Sequence, residues 1–437
     1  MGKVESLTTN AQMAFSVDGD LLATVLKAVM RAGKSALYIR VDENCVEFKT
    51  CGRDFIAVEK ISEGVKIFTT GETLINNVGA KILVKAVNER ARYTLTASKS
   101  TLTITNGDQR ELSLSCCAFL PSLSKKDAER FKPFQTEYVM GENVIALAQS
   151  ELKQSLKSTL YAAATVENSL SRPVFTQVNF KAGEENLTLT AATHFQIAQV
   201  TTTAFTLQGD FNCNIDSDVL WFILPLLKNK DVVQITCGGR SEYVNEICIK
   251  IDTLTVNARC VKLDFPDTSQ VISQLALVKA SLNRQELIQA VKFCSPFADE
   301  HGAINLRFEK DAVTVNASHK AVVTYKTEDS TARSLKIGGS AVNYVQAEVD
   351  GVESGNAVGD FTVTNLLGML GNLTETNITI ELSEQSITVR ENNKVAVIAP
   401  IKESVHLPVK AVTPSLQDTT TIDITSAFVE SVAETVA

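Results

Sequence analysis

Asn186-Leu-Thr-Leu-Thr-Ala-Ala-Thr-His-Phe-Gln-Ile-Ala-Gln-Val200 alternates apolar and polar residues from Leu187, breaks at the small pair Ala191 and Ala192, and resumes at Ile197. The pattern predicts two strands meeting at a tight corner. The corner recurs. Placing Val46 on Leu187 brings Val46-Glu-Phe-Lys-Thr-Cys-Gly-Arg-Asp-Phe-Ile-Ala57 over it, and placing Val313 there brings Val313-Thr-Val-Asn-Ala-Ser-His-Lys-Ala-Val-Val-Thr324. One unit is used three times, and a repeat of this length means three copies of one supersecondary arrangement.

Working outward, the first unit opens with a strand at Met13 to Val17 and a helix at Leu21 to Met30, whose Leu21, Leu22, Val25, Leu26 and Val29 stand at helical spacing. Strands are expected at Leu37 to Val41, Cys45 to Lys49 and Phe55 to Ile61. A second helix is expected within Thr73 to Arg90, with Gly79 a weak point in it. Strands at Tyr93 to Ala97, Thr101 to Thr105 and Arg110 to Cys116 complete the unit, which closes on Ala118-Phe-Leu-Pro121. The second unit repeats the order from Glu137. Its helices are expected at Val144 to Leu160 and Ser217 to Leu227. Its strands are expected at Val174 to Phe180, Leu187 to Ala191, Gln196 to Ala204, Val232 to Thr236, Glu246 to Ile251 and Leu254 to Val261. The third starts near Leu277, with helices at Arg284 to Phe293 and Thr364 to Leu370. Its strands are read at Ala303 to Phe308, Val313 to Asn316, Ala321 to Thr327, Ile378 to Leu382, Ser386 to Arg390 and Lys394 to Ala399. Two helices against antiparallel strands, three times over, is an α+β architecture with domains at 12–133, 134–273 and 274–402. The extension 403–437, rich in Thr, Ser and acidic residues, has no counterpart in the repeat and reads as a solvated tail, although Ile424 to Val436 could form one amphipathic helix.

At 437 residues, with 44% apolar and 21% charged residues, the chain has the length and composition of about three soluble domains. Its 42 Lys and Arg against 50 Asp and Glu argue against a protein that coats nucleic acid over its whole surface, while leaving room for a basic face on an acidic body. Nine cysteines without a CxxC pair sit mostly inside expected strands, as buried thiols of a reducing compartment do. No signal sequence and no apolar run long enough for a membrane span is visible, so a cytoplasmic location is expected.

Three further motifs stand in order along this repeat: Ser171-Arg-Pro-Val-Phe175, Ala191-Ala-Thr-His-Phe-Gln-Ile-Ala198, and Phe265-Pro-Asp-Thr-Ser-Gln-Val-Ile272, with Ala399-Pro-Ile-Lys402 at the end of the third unit. Taken with the repeat, the span from about 12 to 402 resembles the bacterial-type DNA polymerase sliding clamp, the processivity β subunit. The family carries Arg-Pro before a strand, then Ala-Thr-Asp-Gly-His-Arg-Leu-Ala, then Phe-Pro-Asp-Tyr followed by Val-Ile or Val-Leu, and ends in a Met-Pro-Met-Arg type segment. Here the Asp-Gly-His-Arg is missing and the chain runs past the usual end, which marks a divergent clamp of the kind a phage or other mobile element could carry.

The resemblance implies the DNA clamp fold, three clamp domains making half of a closed ring, and a head-to-tail homodimer closing it. It implies double-stranded DNA held without sequence preference, a replicative DNA polymerase and a clamp loader as partners, no cofactor, no metal and no membrane. A basic inner wall makes phosphate contacts weak enough to slide. Its DNA-facing candidates are Lys27, Arg31, Lys34, Lys81, Lys85, Arg90, Arg92, Lys153, Lys157, Lys228, Lys230, Arg284 and Lys292. The family docks short partner peptides in an apolar pocket, carried over here onto Phe175, Ala192, His194, Phe195, Gln196, Ile197, Pro266, Gln270, Val271, Val397, Ala399, Pro400 and Ile401. His194 and Phe195 stand in place of the family's Gly-His, which alters the pocket's shape. A repeat-built interaction protein that threads no DNA has the same sequence pattern.

An enzyme is disfavoured. The histidines are His194, His301, His319 and His406, none at metal-like spacing, and G-x-S-x-G, P-loop and dinucleotide motifs are absent. His319 falls one position short of His194 when the units are aligned, yet the two belong to different domains. Asp299-Glu300-His301 lies in an expected loop without a partner motif.

Overall fold

The computed structural model describes residues 12–32, 36–87, 91–98, 101–106, 111–118, 141–165, 172–228, 231–241, 243–274, 276, 278–298, 301–309, 312–320, 330–338, 342–343, 357–383 and 385–401. The first repeat holds β1 (Met13–Asp18), α1 (Gly19–Val29), β2 (Leu37–Val41), β3 (Val46–Cys51), β4 (Phe55–Ile61), β5 (Val65–Thr69), β6 (Gly71–Ile75), α2 (Asn77–Ala86), β7 (Arg92–Ala97), β8 (Thr101–Asn106) and β9 (Glu111–Ala118). The second holds β10 (Asn143–Ala148), α3 (Gln149–Thr159), β11 (Gln177–Ala182), β12 (Leu187–Ala192), β13 (Gln196–Thr202), β14 (Phe205–Gln208), β15 (Asn212–Asp216), α4 (Ser217–Ile223), β16 (Val232–Ser241), β17 (Val244–Ile251) and β18 (Leu254–Val261), with a one-turn helix α5 (Ser269–Ile272) after it. The third holds β19 (Val278–Asn283), α6 (Arg284–Cys294), β20 (Ala303–Glu309), β21 (Ala312–Lys320), β22 (Ser330–Gly338), β23 (Val342–Asn343), β24 (Ala357–Thr362), α7 (Val363–Asn372), β25 (Asn377–Leu382), β26 (Ile387–Glu391) and β27 (Lys394–Ile398).

The repetition is kept to the residue. Each copy opens with a six-residue strand, an eleven-residue helix and a three-residue 3-10 turn: β1, α1 and Met30–Ala32; β10, α3 and Leu160–Ala162; β19, α6 and Ser295–Phe297. The helices bury the same i, i+3, i+4, i+7 stripe, which is Leu22, Val25, Leu26 and Val29 in α1, Leu152, Ser155, Leu156 and Thr159 in α3, and Leu287, Ala290, Val291 and Cys294 in α6. A stripe of this kind fastens a helix along one side and leaves the other side wet.

The quoted corner is a hairpin. β12 and β13 pair from Leu187↔Thr202 to Ala192↔Ile197, closed by Thr193 N–H donating to Gln196 O at 2.8 Å. β3 and β4 pair from Val46↔Ile61 to Cys51↔Ile56, closed by Gly52 N–H on Phe55 O at 2.8 Å, position for position the same. The third copy departs. β21 runs unbroken through Ala317–Lys320, where the alignment expects the corner, and pairs with β22 from Ala312↔Gly338 to Lys320↔Ser330. The expected strand at Ala321 to Thr327 lies outside the described residues.

Two compact units form, Met1–Lys153 with Ala204–Lys262, and Gln154–Thr203 with Leu263–Ala437. The first is built on a 14-stranded sheet of order β14-β10-β16-β17-β18-β4-β3-β2-β6-β9-β8-β7-β1-β5. The second contains the run β11-β12-β13-β27-β26-β25-β19-β23 and the four-stranded sheet β22-β21-β20-β24. Each unit has one strand-to-strand junction between successive repeats. In the first, β18 lies on β4 with Leu254↔Glu59 and Ala258↔Phe55; in the second, β27 lies on β13 with Lys394↔Val200 and Ile398↔Gln196. These are equivalent positions in equivalent register. The second unit's largest core gathers Leu287, Val291, Leu306, Phe308, Phe361, Met369, Ile380 and Val389.

Several expected elements shift. Val144 to Leu160 is not one helix. Asn143–Ala148 is β10, paired with β14 and β16, with Ile145 and Leu147 buried in alternation, and the helix starts at Gln149. The Val-Ile-Ala-Leu-Ala run suits either period, and strand pairing on both edges decides it. Val174 to Phe180 opens as a 3-10 turn, Pro173–Thr176, because Pro173 favours the first position of a helical turn, and becomes strand only at Gln177. Thr73 to Arg90 divides into β6 and α2, whose N-cap Asn76 accepts from Gly79 N–H at 2.7 Å. A Cβ on Gly79 would stand 2.7 Å from Ile75 Cγ2, so the residue that weakens the helix in isolation permits its close approach here. Ser217 to Leu227 ends as regular helix at Ile223. The short strands β5, β6, β14, β15, β23 and β24, and the longer β22, carry too little patterning to be read in advance. The tail 403–437 lies outside the described residues.

Candidate peptide pocket and nucleic-acid interface

In the second unit, the 3-10 turn Pro173–Thr176, the β12–β13 hairpin, α5 and β27 bring one apolar cluster together. Val174, Phe175, Ala192, Ile197, Val271 and Val397 are buried in it, with Ala164, Leu263, Phe265, Ile272 and Val395 packed against them. The 3-10 turn places both Val174 and Phe175 inward, where a strand would have turned one of them away. The hairpin tip is tied down by Ile197↔Val397 pairing and by Ala399 N–H on Phe195 O at 2.9 Å. Asp267 Oδ1 accepts from Ser269 N–H at 2.9 Å, and this bond at the start of α5 holds its carboxyl below the ordinary value.

His194 stands edge-on to Phe175, ring centroids 4.8 Å apart, and 6.3 Å from Phe195. Partial burial, and then the Arg172 guanidinium, push the His194 pKa down. Phe195 is 47% exposed, a large apolar side chain held at the surface of the cluster. Gln196 Nε2 donates to Tyr161 O at 3.2 Å. Its Oε1, and Arg172 Nη1, are buried without a hydrogen-bond partner among the described residues.

Of the residues carried over by motif, Phe175, Ala192, Ile197, Val271 and Val397 meet in this cluster, and His194 and Phe195 flank it. Gln196 sits beside it on β13. Pro266 and Ala399 are buried, Pro400 is buried and Ile401 half-buried beyond β27, and Gln270 is exposed on α5. Val174, Leu263, Phe265 and Ile272 went unread as pocket residues, although Phe265 and Ile272 stand inside the very motif quoted for this region. Arg172, the Arg of Arg-Pro, supplies charge to the site and was legible as part of that motif.

The basic candidates differ in exposure and in the contacts they make. Lys27, Lys157 and Lys292 occupy one position of the repeated helix, and all three are exposed. Arg31, Lys81, Lys85 and Lys228 are exposed as well. Lys153 Nζ donates to Leu227 O at 2.7 Å, beyond the end of α4, and Arg284 donates to Leu370 O and Glu375 O at 3.1 and 2.9 Å, at the end of α7. Arg284 thereby stabilises the end of α7, where carbonyls lack intrahelical partners, and Lys153 ties down the turn that follows α4. Arg92 pairs with Asp18 at 2.7 Å and donates to Ser16 Oγ. Lys34, Arg90 and Lys230 lie outside the described residues. The regular helices α1, α2, α3, α4, α6 and α7 together carry seven basic residues, Lys27, Lys81, Lys85, Lys153, Lys157, Arg284 and Lys292, against four acidic, Asp20, Glu151, Asp218 and Glu286, in a chain of net charge −8. α7 carries no charge at all.

Among the described residues no group of three or more His, Cys, Asp or Glu is placed to hold a metal ion, and no helix is long and apolar enough to cross a membrane. His301 is exposed, His319 lies on β21, and His406, Asp299 and Glu300 fall outside the described residues.

No family model matches the chain. It is 23% identical over 355 residues to the "Beta sliding clamp" of Staphylococcus aureus, covering 74% of this chain and 86% of that one. Among solved structures it resembles the DNA polymerase sliding clamp of Bacillus subtilis, with a TM-score of 0.73 at 18% identity over 90% of this chain and all of that one. It also resembles the DNA polymerase III subunit beta of Borrelia burgdorferi, with a TM-score of 0.73 at 15% identity over 89% of this chain. The chain has the DNA clamp fold.

Proposed function

We propose that this chain, a divergent bacterial-type sliding clamp, pairs head to tail with a second copy to encircle duplex DNA, and so tethers a replicative DNA polymerase without making or breaking a covalent bond. The observation that carries the reading is the residue-level repetition, with an exposed lysine at one helix position in all three copies. Three such lysines per chain, with Arg31, Lys81, Lys85 and Lys228, give phosphates a diffuse set of contacts that no base sequence favours. The three domains run 12–133, 134–273 and 274–402.

The repeat also indicates how the ring closes. The strand equivalent to β4 and β13 pairs with the one equivalent to β18 and β27 at both internal junctions. Continuing that rule leaves β22 of the third repeat and the 111–115 stretch of β9 in the first without such a partner. β22 is the last strand of its sheet. A second copy related by two-fold symmetry supplies both pairings, which is a closed, heterologous-edge arrangement repeated twice.

The polymerase and a clamp loader reach the ring through short apolar peptides at the Phe175–Val271–Val397 cluster. There Phe195, 47% exposed, holds an apolar face open to a partner side chain beside the buried cluster. The site of action is the cytoplasm, where replication takes place. The test is primer extension on a primed circle by the cognate replicative polymerase and loader. Longer products per binding event are expected with this chain than without it, and the gain should disappear with Val271→Asp. Product length that is the same with and without the chain would sink the reading.

A further inference from the structure

Cys213 on β15 and Cys237 on β16 lie Sγ to Sγ 2.8 Å apart in the first unit, with Asn245 Nδ2 3.9 Å from the Cys213 sulfur. Both are buried, Cys213 2% and Cys237 8% exposed, and both are free thiols. A third buried thiol, Cys260, lies near enough to act electrostatically on the pair, and its sulfur accepts from Asp216 N–H at 3.4 Å. A disulfide needs an S–S distance of about 2 Å, so a movement of under about 1 Å would join the pair. Nothing in clamp action uses two adjacent buried thiols, and two small apolar residues would pack the same space without reactive chemistry.

We propose that Cys213 and Cys237 are a hydroperoxide-sensitive pair that closes a reversible disulfide between β15 and β16. Cys237 is the attacking sulfur, because it is the more exposed of the two. The hydrogen bond with Cys213 and the Lys262 ammonium also hold its pKa below the ordinary thiol value against the effect of burial. Its thiolate attacks one oxygen of hydrogen peroxide, the O–O bond breaks, and the departing hydroxide takes up a proton, leaving a sulfenic acid. Cys213 then attacks the Cys237 sulfur; the S–S bond forms, the S–O bond breaks, and the oxygen leaves as water with the Cys213 proton. Two thiols lose two protons and two electrons, and one peroxide becomes two waters. A thiol reductant reverses the step. The bond would fasten β15, the strand that leads into α4, to β16 and so stiffen this unit.

The full-length reduced protein is treated with hydrogen peroxide, capped with iodoacetamide and digested with trypsin without reduction. The expected product is peptide 182–228 linked to peptide 231–240, two hydrogens lighter than their sum, together with a melting temperature above that of the reduced protein. Dithiothreitol should reverse both changes, and Cys213→Ser and Cys237→Ser should each abolish them. Linkage through Cys260 or another cysteine overturns the proposal. So does alkylation of both thiols after peroxide at the level seen before it, a result read on the wild-type chain and independent of whether either variant folds.

Discussion

Removing Glu391 should cost the second unit far more than an average surface carboxylate does. Its carboxylate is 1% exposed and accepts from Thr374 N–H at 2.6 Å, Thr374 Oγ1 at 3.0 Å, the Glu375 N–H, and Lys394 Nζ at 3.2 Å. Lys394 is itself 7% exposed. Glu391→Ala therefore strands two backbone donors and a buried ammonium. Each unsatisfied buried group costs about 1–3 kcal/mol, and breaking a buried pair from one side costs about 3–5 kcal/mol. Water reaching the exposed side of the turn offsets part of this, and a loss of about 4 kcal/mol is expected. For a domain of this size that is roughly 10 °C in melting temperature. The assay is circular-dichroism melting, with hydrogen exchange at the amides of β27 to locate the loss. Trp221, the single tryptophan, belongs to the first unit and serves as an internal control. The pH dependence has a definite sign. Burial pushes the Glu391 pKa up, but the Glu375 and Thr374 N–H groups and the Lys394 ammonium outweigh it and hold it below 4.5. Its contribution is then present above pH 4.5 and is lost as pH falls through the lower folded value. Glu391→Gln should flatten that part of the acid limb. A Glu391→Ala loss below about 1 kcal/mol, well short of the cost of stranded donors, would refute the reasoning.

Replacing Lys27, Lys157 and Lys292 together with Gln should lower the salt dependence of binding to short linear duplexes, by up to about 0.9 in log–log slope for each phosphate left without its lysine. An unchanged slope in a salt titration by fluorescence anisotropy would place these lysines away from DNA. Because α1, α3 and α6 bury the same stripe, Leu156→Ala and Leu287→Ala should each destabilise by about 2–5 kcal/mol, as urea denaturation would measure; a cost confined to one helix would contradict equivalent packing. His194 has a depressed folded pKa, so the unfolded chain takes up its proton first, and stability should fall as pH drops from about 6.5 through the folded value. His194→Gln should remove that component from the pH–stability profile without shifting the plateau above pH 7.

Periodicity was enough to locate the β12–β13 hairpin, the buried stripe of α1 and the span of α6, because in each the local pattern and the tertiary burial coincide. It failed at Val144–Ala148, where small and branched apolar residues satisfy both periods and the choice rests on β14 and β16, distant in sequence. It failed again at Ala317–Lys320, where a register aligned from two other copies did not carry over because β21 continues along β22. In the pocket, Phe175, Ala192, Ile197, Val271 and Val397 meet in the cluster, and Val174 joins them although it was not named for the pocket, since a strand reading turns it away and only the 3-10 turn brings it in. Charge was the least legible. Lys153, Arg284 and Arg92 look like free cations in sequence, yet the carbonyls and carboxylate that occupy them are 74 or more residues away.

The most direct test is retention on a nicked circular duplex after loading by a matched clamp loader, measured before and after the circle is cut once. An encircling ring stays on the closed circle at a salt concentration that removes phosphate contacts, and runs off the ends once the DNA is linear. Equal retention on circular and linear DNA would mean that the chain holds DNA by direct contact, and would contradict the account.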